Sequence, residues 1–410
     1  MAHVHSHGSA GPAAPRTTFL LVITLVSALL LTLVGLWLLW PNAADVPDRV
    51  PAKAEGTSFV DVTVAGPADP ATGSIPVELP SGESSRMQSP GPSVPLADGD
   101  RITAVDISQV SQPGVDPLVF MDYQRELPIA LLAVAYAAVV LLVARWRGLA
   151  AMAGLGMAFV VLLGFTMPAL LAGESAIGVA LVTSSLVMFV TLYLAHGLSA
   201  RTSTALLGTL VGLGLTALLA AWASGAAQIT GTTDEASAFL PSSAPGADLR
   251  GIALCGIVLA GMGVLNDVTI TQASAVWELR GVAPAASRTE LFTRAMRIGR
   301  DHIASTVYTI AFAYVGAALP LLMMVWLVDQ TPATALSSGE IAEEVVRTLV
   351  GSIGLVLAIP VTTAIATLTV PGPADPAAGP PTYEPASDPE LMAPVSEAWA
   401  VRPGSEAPAT

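Results

Sequence analysis

Long stretches in which nearly every residue is apolar alternate along this chain with short stretches that gather its charges. The apolar runs fall at 18–40, near 128–144, 149–171, 176–195, 204–224 and 251–265, and at 303–328 and 345–370. Most reach the ~20 residues a helix needs to cross ~30 Å of hydrocarbon. Eight spans are therefore expected. The run at 18–40 outlasts the ~7–15-residue core of a signal peptide and is followed by no clean A-x-A site, so it reads as a retained anchor.

Between the first two runs the pattern changes to short β-prone pieces, 58–64 and 101–107, separated by Pro, Gly and Ser clusters. A small β-rich module is expected across 41–127, with its middle, 83–95, as a mobile loop. The ends read as disordered: a leader at 1–17 and a Pro/Ala-rich tail at 371–410. In the leader His3, His5 and His7 alternate, a tract that reads as loose chain rather than a dedicated metal site.

Composition agrees with lipid as the solvent, because 53% of the 410 residues are hydrophobic and only 12% charged. A net charge of −14 argues against nucleic acid as a partner. The single cysteine, Cys255, lies in an apolar run, so neither a disulfide framework nor a cysteine metal cluster is expected. No G-x-S-x-G, H-E-x-x-H or Walker A motif occurs, so the chain reads as a non-enzyme without a cofactor.

Orientation follows from the arginines of the short loops. Arg145, Arg147, Arg201, Arg280 and the group from Arg288 to Arg300 fall in one set of alternate loops, whereas the other set holds only Arg250 and Arg347 at its borders. The first set is expected inside a plasma membrane. Both termini then lie in the cytoplasm, with 41–127 and the acidic stretch around Glu340, Glu343 and Glu344 outside.

Three prolines, Pro168, Pro320 and Pro360, interrupt spans and read first as plain kinks, although broken helices also occur at transporter sites. Gly208, Gly212 and Gly214 read as a place where another helix backbone comes close.

The polar residues concentrate in GMGVLNDVTITQASAVWELR, 261–280. On a continuous helix Asp267, Thr271, Ser274 and Glu278 share one face. An acid at membrane depth costs ~2.5–3.5 kcal/mol at a helix centre and so faces a cavity or a partner, which makes Asp267 with Asn266 a proton or cation site. The competing reading is that the helix has already emerged and the stripe is its wet face. Gly281 to Pro284 ends this helix, and Ser287-Arg288-Thr289-Glu290 is a capping box for the next.

That next helix, 287–300, puts Leu291, Phe292, Ala295 and Ile298 on one side and Arg288, Arg294 and Arg297 on the other, as for a helix lying on an anionic inner leaflet. It is expected to end at Gly299-Arg300-Asp301-His302, where Asp301 and His302 either relay protons or cap the helix. Ser305 and Thr309 continue the face of Asp301 into the following span.

Several of these segments resemble a known family. Gly263 to Leu279, the later Ile298-Gly-Arg-Asp-His-Ile-Ala-Ser-Thr306, Tyr193-Leu-Ala-His-Gly197, Phe120 to Pro128 and Arg145-Trp-Arg-Gly-Leu149 look like the YibE/F-like family of bacterial multi-pass membrane proteins, over about 118–370. The resemblance implies an architecture rather than an activity. It aligns Asp267 and Asp301 with acidic positions of the family's motifs, while Asn266 and Tyr308 depart from the residues usual there.

Residues and resemblance together give a mainly α, polytopic helical membrane protein of about eight spans with a small extracytoplasmic β-rich domain. Its membrane domain covers 128–370. The leading functional expectation is a transporter or channel-like permease for a small solute or ion, with the face of Asp267, Thr271 and Ser274 packed against Asp301, Ser305 and Thr309. The alternative is a membrane scaffold or sensor whose outer domain binds an envelope protein. Self-association as a homo-oligomer is open under both.

Overall fold

The structure, a computed structural model, describes residues 15–373 apart from 92, 113, 233 and 234. The histidine tract and most of the acidic tail lie outside the described residues. Helix α1, Pro15–Leu38, leads to five strands: β1 Ser58–Val64, β2 Ser74–Glu78, β3 Ser84–Gln88, β4 Arg101–Asp106 and β5 Leu118–Tyr123. The helices that follow are α2 Glu126–Val161, α3 Met167–Leu171, α4 Ala176–His196, α5 Ala200–Ala226, α6 Glu235–Ser243, α7 Leu249–Val282, α8 Arg288–Ala317, α9 Leu319–Leu327, α10 Pro332–Leu336 and α11 Gly339–Thr369. The chain is mainly helical, with several long apolar helices and one small barrel.

The strands close in the order β1-β2-β3-β5-β4, antiparallel except where β3 meets β5. This is an OB-type arrangement. Val77, Met87, Ile102 and Ala104 are fully buried at its centre, each on the inward phase of its strand. Strand β3 occupies 84–88 of the segment expected as a mobile loop at 83–95, and the rest of that segment has no regular secondary structure among the described residues. Ser84, Arg86 and Gln88 face outward and Ser85 is half-buried, while Met87 is fully buried, pairs with Ile75 of β2 and helps fill the barrel. At the exit from β5 the Arg125 guanidinium bonds Asp122 at 2.7 Å and holds its carboxyl below the usual carboxylate range, with the Tyr123 N–H adding to the effect. The pair therefore stays charged into acidic pH as the chain enters α2.

Six helices among the described residues are long and apolar enough to cross a membrane, or seven if α8 and α9 count as one broken span. One of the six, Glu126–Leu171, has 46 residues. Unbroken it would measure about 69 Å at 1.5 Å per residue, more than twice a hydrocarbon core. It is broken at Arg145, whose φ of 55° and ψ of −132° are not helical. A Cβ on Gly148 would lie 2.6 Å from the carbonyl oxygen of Val140, a residue that would stand about 12 Å away along a straight helix. The chain turns sharply there. Before the break the helix is exposed on nearly every face; after it Gly154 sits against Thr191 of α4. A π-turn, Leu162–Thr166, precedes Pro168, and Phe165 stacks on Trp40 at 5.8 Å.

The most closely packed unit is α5 with α7 and α11. A Cβ on Gly208 would run into Thr362 of α11, and one on Gly212 would come within 3.1 Å of Ala358 and Leu265. Thr216 fills a notch between Gly261 and Gly354. The expected close approach at Gly208 and Gly212 is present, but Gly214 has open space around it and takes no part. Cys255 is buried in the same core. Pro360 sits inside a continuous α11, whereas Pro320 opens α9 after a bend of 67°. The same residue type thus bends one span sharply and leaves the other unbroken.

Candidate functional site

The polar stripe of α7 is where the spacing puts it, on one face of one unbroken helix, and that face points outward. Asp267, Thr271 and Glu278 are exposed, while Asn266 and Ser274 are half-buried. On α8, Asp301, Ser305 and Thr309 are exposed as well. The two stripes do not pack face to face. On α8 two stripe hydroxyls are satisfied within the helix, Ser305 donating to the His302 carbonyl at 3.0 Å and Thr309 to the Ser305 carbonyl at 3.1 Å. Asn266 Oδ1 and His302 Nε2 are buried atoms with no hydrogen-bond partner among the described residues.

Helix α8 also departs from expectation at its middle, because it runs through Gly299 to Ala317 instead of ending there. A Cβ on Gly299 would stand 2.7 Å from Ile359 Cγ2 and 3.2 Å from Gln272 Nε2. The glycine therefore gives α8 its close seat on α7 and α11 rather than a helix end. At the start of α8 the Ser287 side chain accepts from the Glu290 N–H at 3.2 Å, as a capping box requires. The Glu290 carboxylate turns to Arg294 at 2.5 Å, so the reciprocal arm of the box is not made. Arg288 and Arg297 stand exposed beside that pair, opposite the buried Leu291 and Ala295.

The inner face of α7 holds polar residues to which the stripe gave no hint. Gln272 is buried and donates from Nε2 to the Ala295 carbonyl at 2.9 Å and to Thr363 Oγ1 at 2.8 Å, tying α7, α8 and α11 together. Thr269 pairs with Thr209 of α5 at 2.6 Å, and Thr204 with Thr369 at 3.0 Å. These are interhelical bonds between buried partners, the kind that fix register where apolar packing alone would allow sliding.

A cavity of about 440 Å³ lies under the bend between α8 and α9. Tyr314, Ala318 and Leu321 form one wall, and Glu340, Glu343, Glu344 and Arg347 of α11 form the other. Arg347 bridges Glu343 and Glu344, each at 3.0 Å, with all three side chains partly buried. Three carboxylates against one guanidinium leave two formal negative charges on the wall. Two carboxylates in one hollow are held by a shared cation, and removing that cation would leave them uncompensated. A second, mostly apolar hollow of about 270 Å³ shares Tyr314, Ala318 and Glu344 and runs on toward Leu349. Sequence reasoning placed these glutamates in an outer loop. The available signal was their i, i+3, i+4 spacing ahead of Arg347 together with a proline in the preceding span.

A bundle of long apolar helices with small-residue contacts, a broken helix beside a charged cavity and a small appended barrel defines a class of mainly helical proteins whose long helices are apolar enough to cross a membrane. Within it, the family model described as YibE/F-like protein matches residues 132–372, well over half of the chain, and the chain belongs to that family. No curated protein and no solved structure matches the chain.

Proposed function

We propose that the chain is an integral protein of the cell membrane with about eight spans, both termini in the cytoplasm and the barrel outside, and that it is a permease for a small solute or cation. Splitting Glu126–Leu171 at Arg145 turns the six long helices into seven crossings, and the α8–α9 pair makes the eighth. Helix α7, about 51 Å long by its 34 residues, outruns the bilayer and carries Asp267 to its cytoplasmic rim, so the exposed stripe is the wet face of that end. Arg288, Arg294 and Arg297 then meet the headgroups of the anionic inner leaflet.

The observation that carries transport is the cavity at the helix break, with Glu343 and Glu344 around Arg347 at the outer end of α11. Ionisable residues kept within a membrane bundle mark solute and ion paths, and helix breaks supply the polar backbone such paths use. In this reading the two carboxylates exchange Arg347 for an arriving cation, while Tyr314 and the apolar hollow below guard the inner half. Nothing in the scheme calls for a catalytic step.

The test is proton and rubidium flux in proteoliposomes that hold a trapped pH dye or labelled rubidium. Glu343→Gln and Glu344→Gln are each expected to slow flux by at least about tenfold, a difference of ~1.4 kcal/mol in the barrier, with protein level unchanged. Wild-type protein that moves neither ion while remaining folded would remove cation transport. A polar hollow of about 270 Å³ on the barrel, lined by Asp61, Thr63, Glu78 and Arg101, supports the second reading, an outer domain that docks an envelope protein. Under that reading Arg101→Glu abolishes function and the α11 variants do not.

A further inference from the structure

Arg280 stands in the last turn of α7 and, unlike a loop arginine, is only 3% exposed. Its Nη1 donates to the Pro284 carbonyl at 2.9 Å and to the Ala286 carbonyl at 2.7 Å, which uses both hydrogens of that nitrogen. Nε and Nη2 are buried atoms with no hydrogen-bond partner among the described residues, and no ion pair found there includes Arg280. The acids nearest in sequence, Glu278 and Glu290, are both exposed, and Glu290 is taken by Arg294. A lysine could shed its proton in such a place, but a guanidinium keeps its charge. Water would satisfy the two donors and leave that charge uncompensated. Nε and Nη2 also form one edge of the guanidinium, the fork that receives two oxygens of a carboxylate or phosphate side by side.

The Ala286 carbonyl that anchors this guanidinium immediately precedes Ser287, the N-cap of α8, a helix of 30 residues. Ser287 Oγ accepts the Glu290 N–H, while the Ser287, Arg288 and Thr289 N–H groups have no partner among the described residues. Glu290, which would return to the Ser287 N–H in a full capping box, is turned to Arg294 instead. A buried cationic fork and the free donors of a helix start therefore meet at one turn. Helix starts of this kind hold oxyanions, because the backbone donors and the positive end of the dipole act together. A carboxylate spends both its oxygens on the fork. A phosphate has further oxygens for the N–H groups.

We propose that the Arg280 fork and the first N–H groups of α8 form a binding site for a phosphate-type oxyanion, supplied by a soluble phosphate or by a phospholipid headgroup. Two oxygens lie on Nε and Nη2, and the others face the N–H groups of Arg288 and Thr289. The turn 284–286 grips the guanidinium through its carbonyls, and Ala286 packs in one cluster with Trp277, Leu291 and Val370. The anion enters when that turn lifts, and once bound it fastens α7 to α8. The site rests neither on transport nor on the orientation proposed above.

Full-length protein in a neutral detergent, stripped of lipid, would be dialysed against radiolabelled inorganic phosphate. Saturable binding is expected, competed by sulfate and at least about tenfold less well by chloride, whose single atom cannot span the fork. Arg280→Lys keeps the charge, loses the fork and should weaken binding at least about tenfold. Arg288→Pro and Arg288→Ala remove the same charge, but only the proline also deletes a backbone donor, at a helix position that tolerates it, so binding should be about threefold weaker in the proline variant. If Arg280→Lys fails to fold, the Arg288 pair decides. Glycerol phosphate and a short-chain phosphatidylglycerol, added as competitors, separate the sources: a lipid source makes the second far the better competitor, and a soluble one makes them alike. No saturable binding by folded wild-type protein, binding unchanged in folded Arg280→Lys, or equal binding in the two Arg288 variants would overturn the site.

Discussion

On one face of α7, Thr269 and Gln272 are buried, each bonded to a side chain or carbonyl of a neighbouring helix. On the opposite face Asp267, Thr271 and Glu278 are exposed and join no other helix through a hydrogen bond or ion pair found among the described residues. Both faces are written in the same short segment, and the charged one attracts the eye. The difference shows that polar character has two uses in a long apolar helix. A neutral group with a partner can enter the core and set register, because its hydrogen bonds replace those it lost. A carboxylate without a counter-charge stays on the exposed face, where it is not buried away from polar surroundings.

The contrast can be broken most forcefully at the glycines beneath the inner face. Gly208→Val would drive a branched side chain into Thr362 and is expected to cost about 3 kcal/mol, at the upper end for overpacking. Gly214→Val, six residues on in open space, should stay within about 0.5 kcal/mol of wild type. Unfolding in mixed micelles measures both, and equal losses would show that α5 and α11 are not as close as described.

Next in size is Gln272→Leu, which keeps the volume but removes the donor to Ala295 and Thr363; a loss of about 2 kcal/mol is expected in the same assay. A neutral result would mean that apolar packing alone holds the three helices. Thr209→Val deletes one buried hydroxyl pair and should cost only about 0.6 kcal/mol, the usual worth of one interhelical bond in a membrane.

The smallest effect is expected on the outer face, where Asp267→Asn and Thr271→Val should each move stability by no more than about 0.5 kcal/mol and leave ion flux intact. A loss at Asp267 as large as that at Gln272 would show the stripe to be covered, and crosslinking between copies would then be the measurement to follow.

Much of the helical scaffold was legible because it depends on local composition. The expected run at 18–40 corresponds to Pro15–Leu38, and 176–195 to Ala176–His196. The strands at 58–64 and 101–107 likewise agree with β1 and β4 to within a residue. The failures have a common cause. Strand β3 was hidden because one inward methionine among polar neighbours signals a strand only when β2 lies beside it. Gly299 was taken for a helix end because glycine costs about 1 kcal/mol in a helix, and the compensating closeness of Ile359 and Gln272 comes from distant segments. The α8–α9 cavity escaped because Tyr314 and Glu344 are thirty residues apart and meet only when α8 lies along α11.

By itself the sequence determined where long apolar helices form, which loops carry the arginines and to which family the motifs point, since each depends on residues close together in the chain. The tertiary structure alone decided which face of each helix is inside. That choice depends on which neighbours can satisfy a buried hydrogen bond or fit against a glycine, and on which charges find a counter-ion. Gln272 and Asp267 are five residues apart on one helix, and only the neighbouring helices separate the role of one from the role of the other.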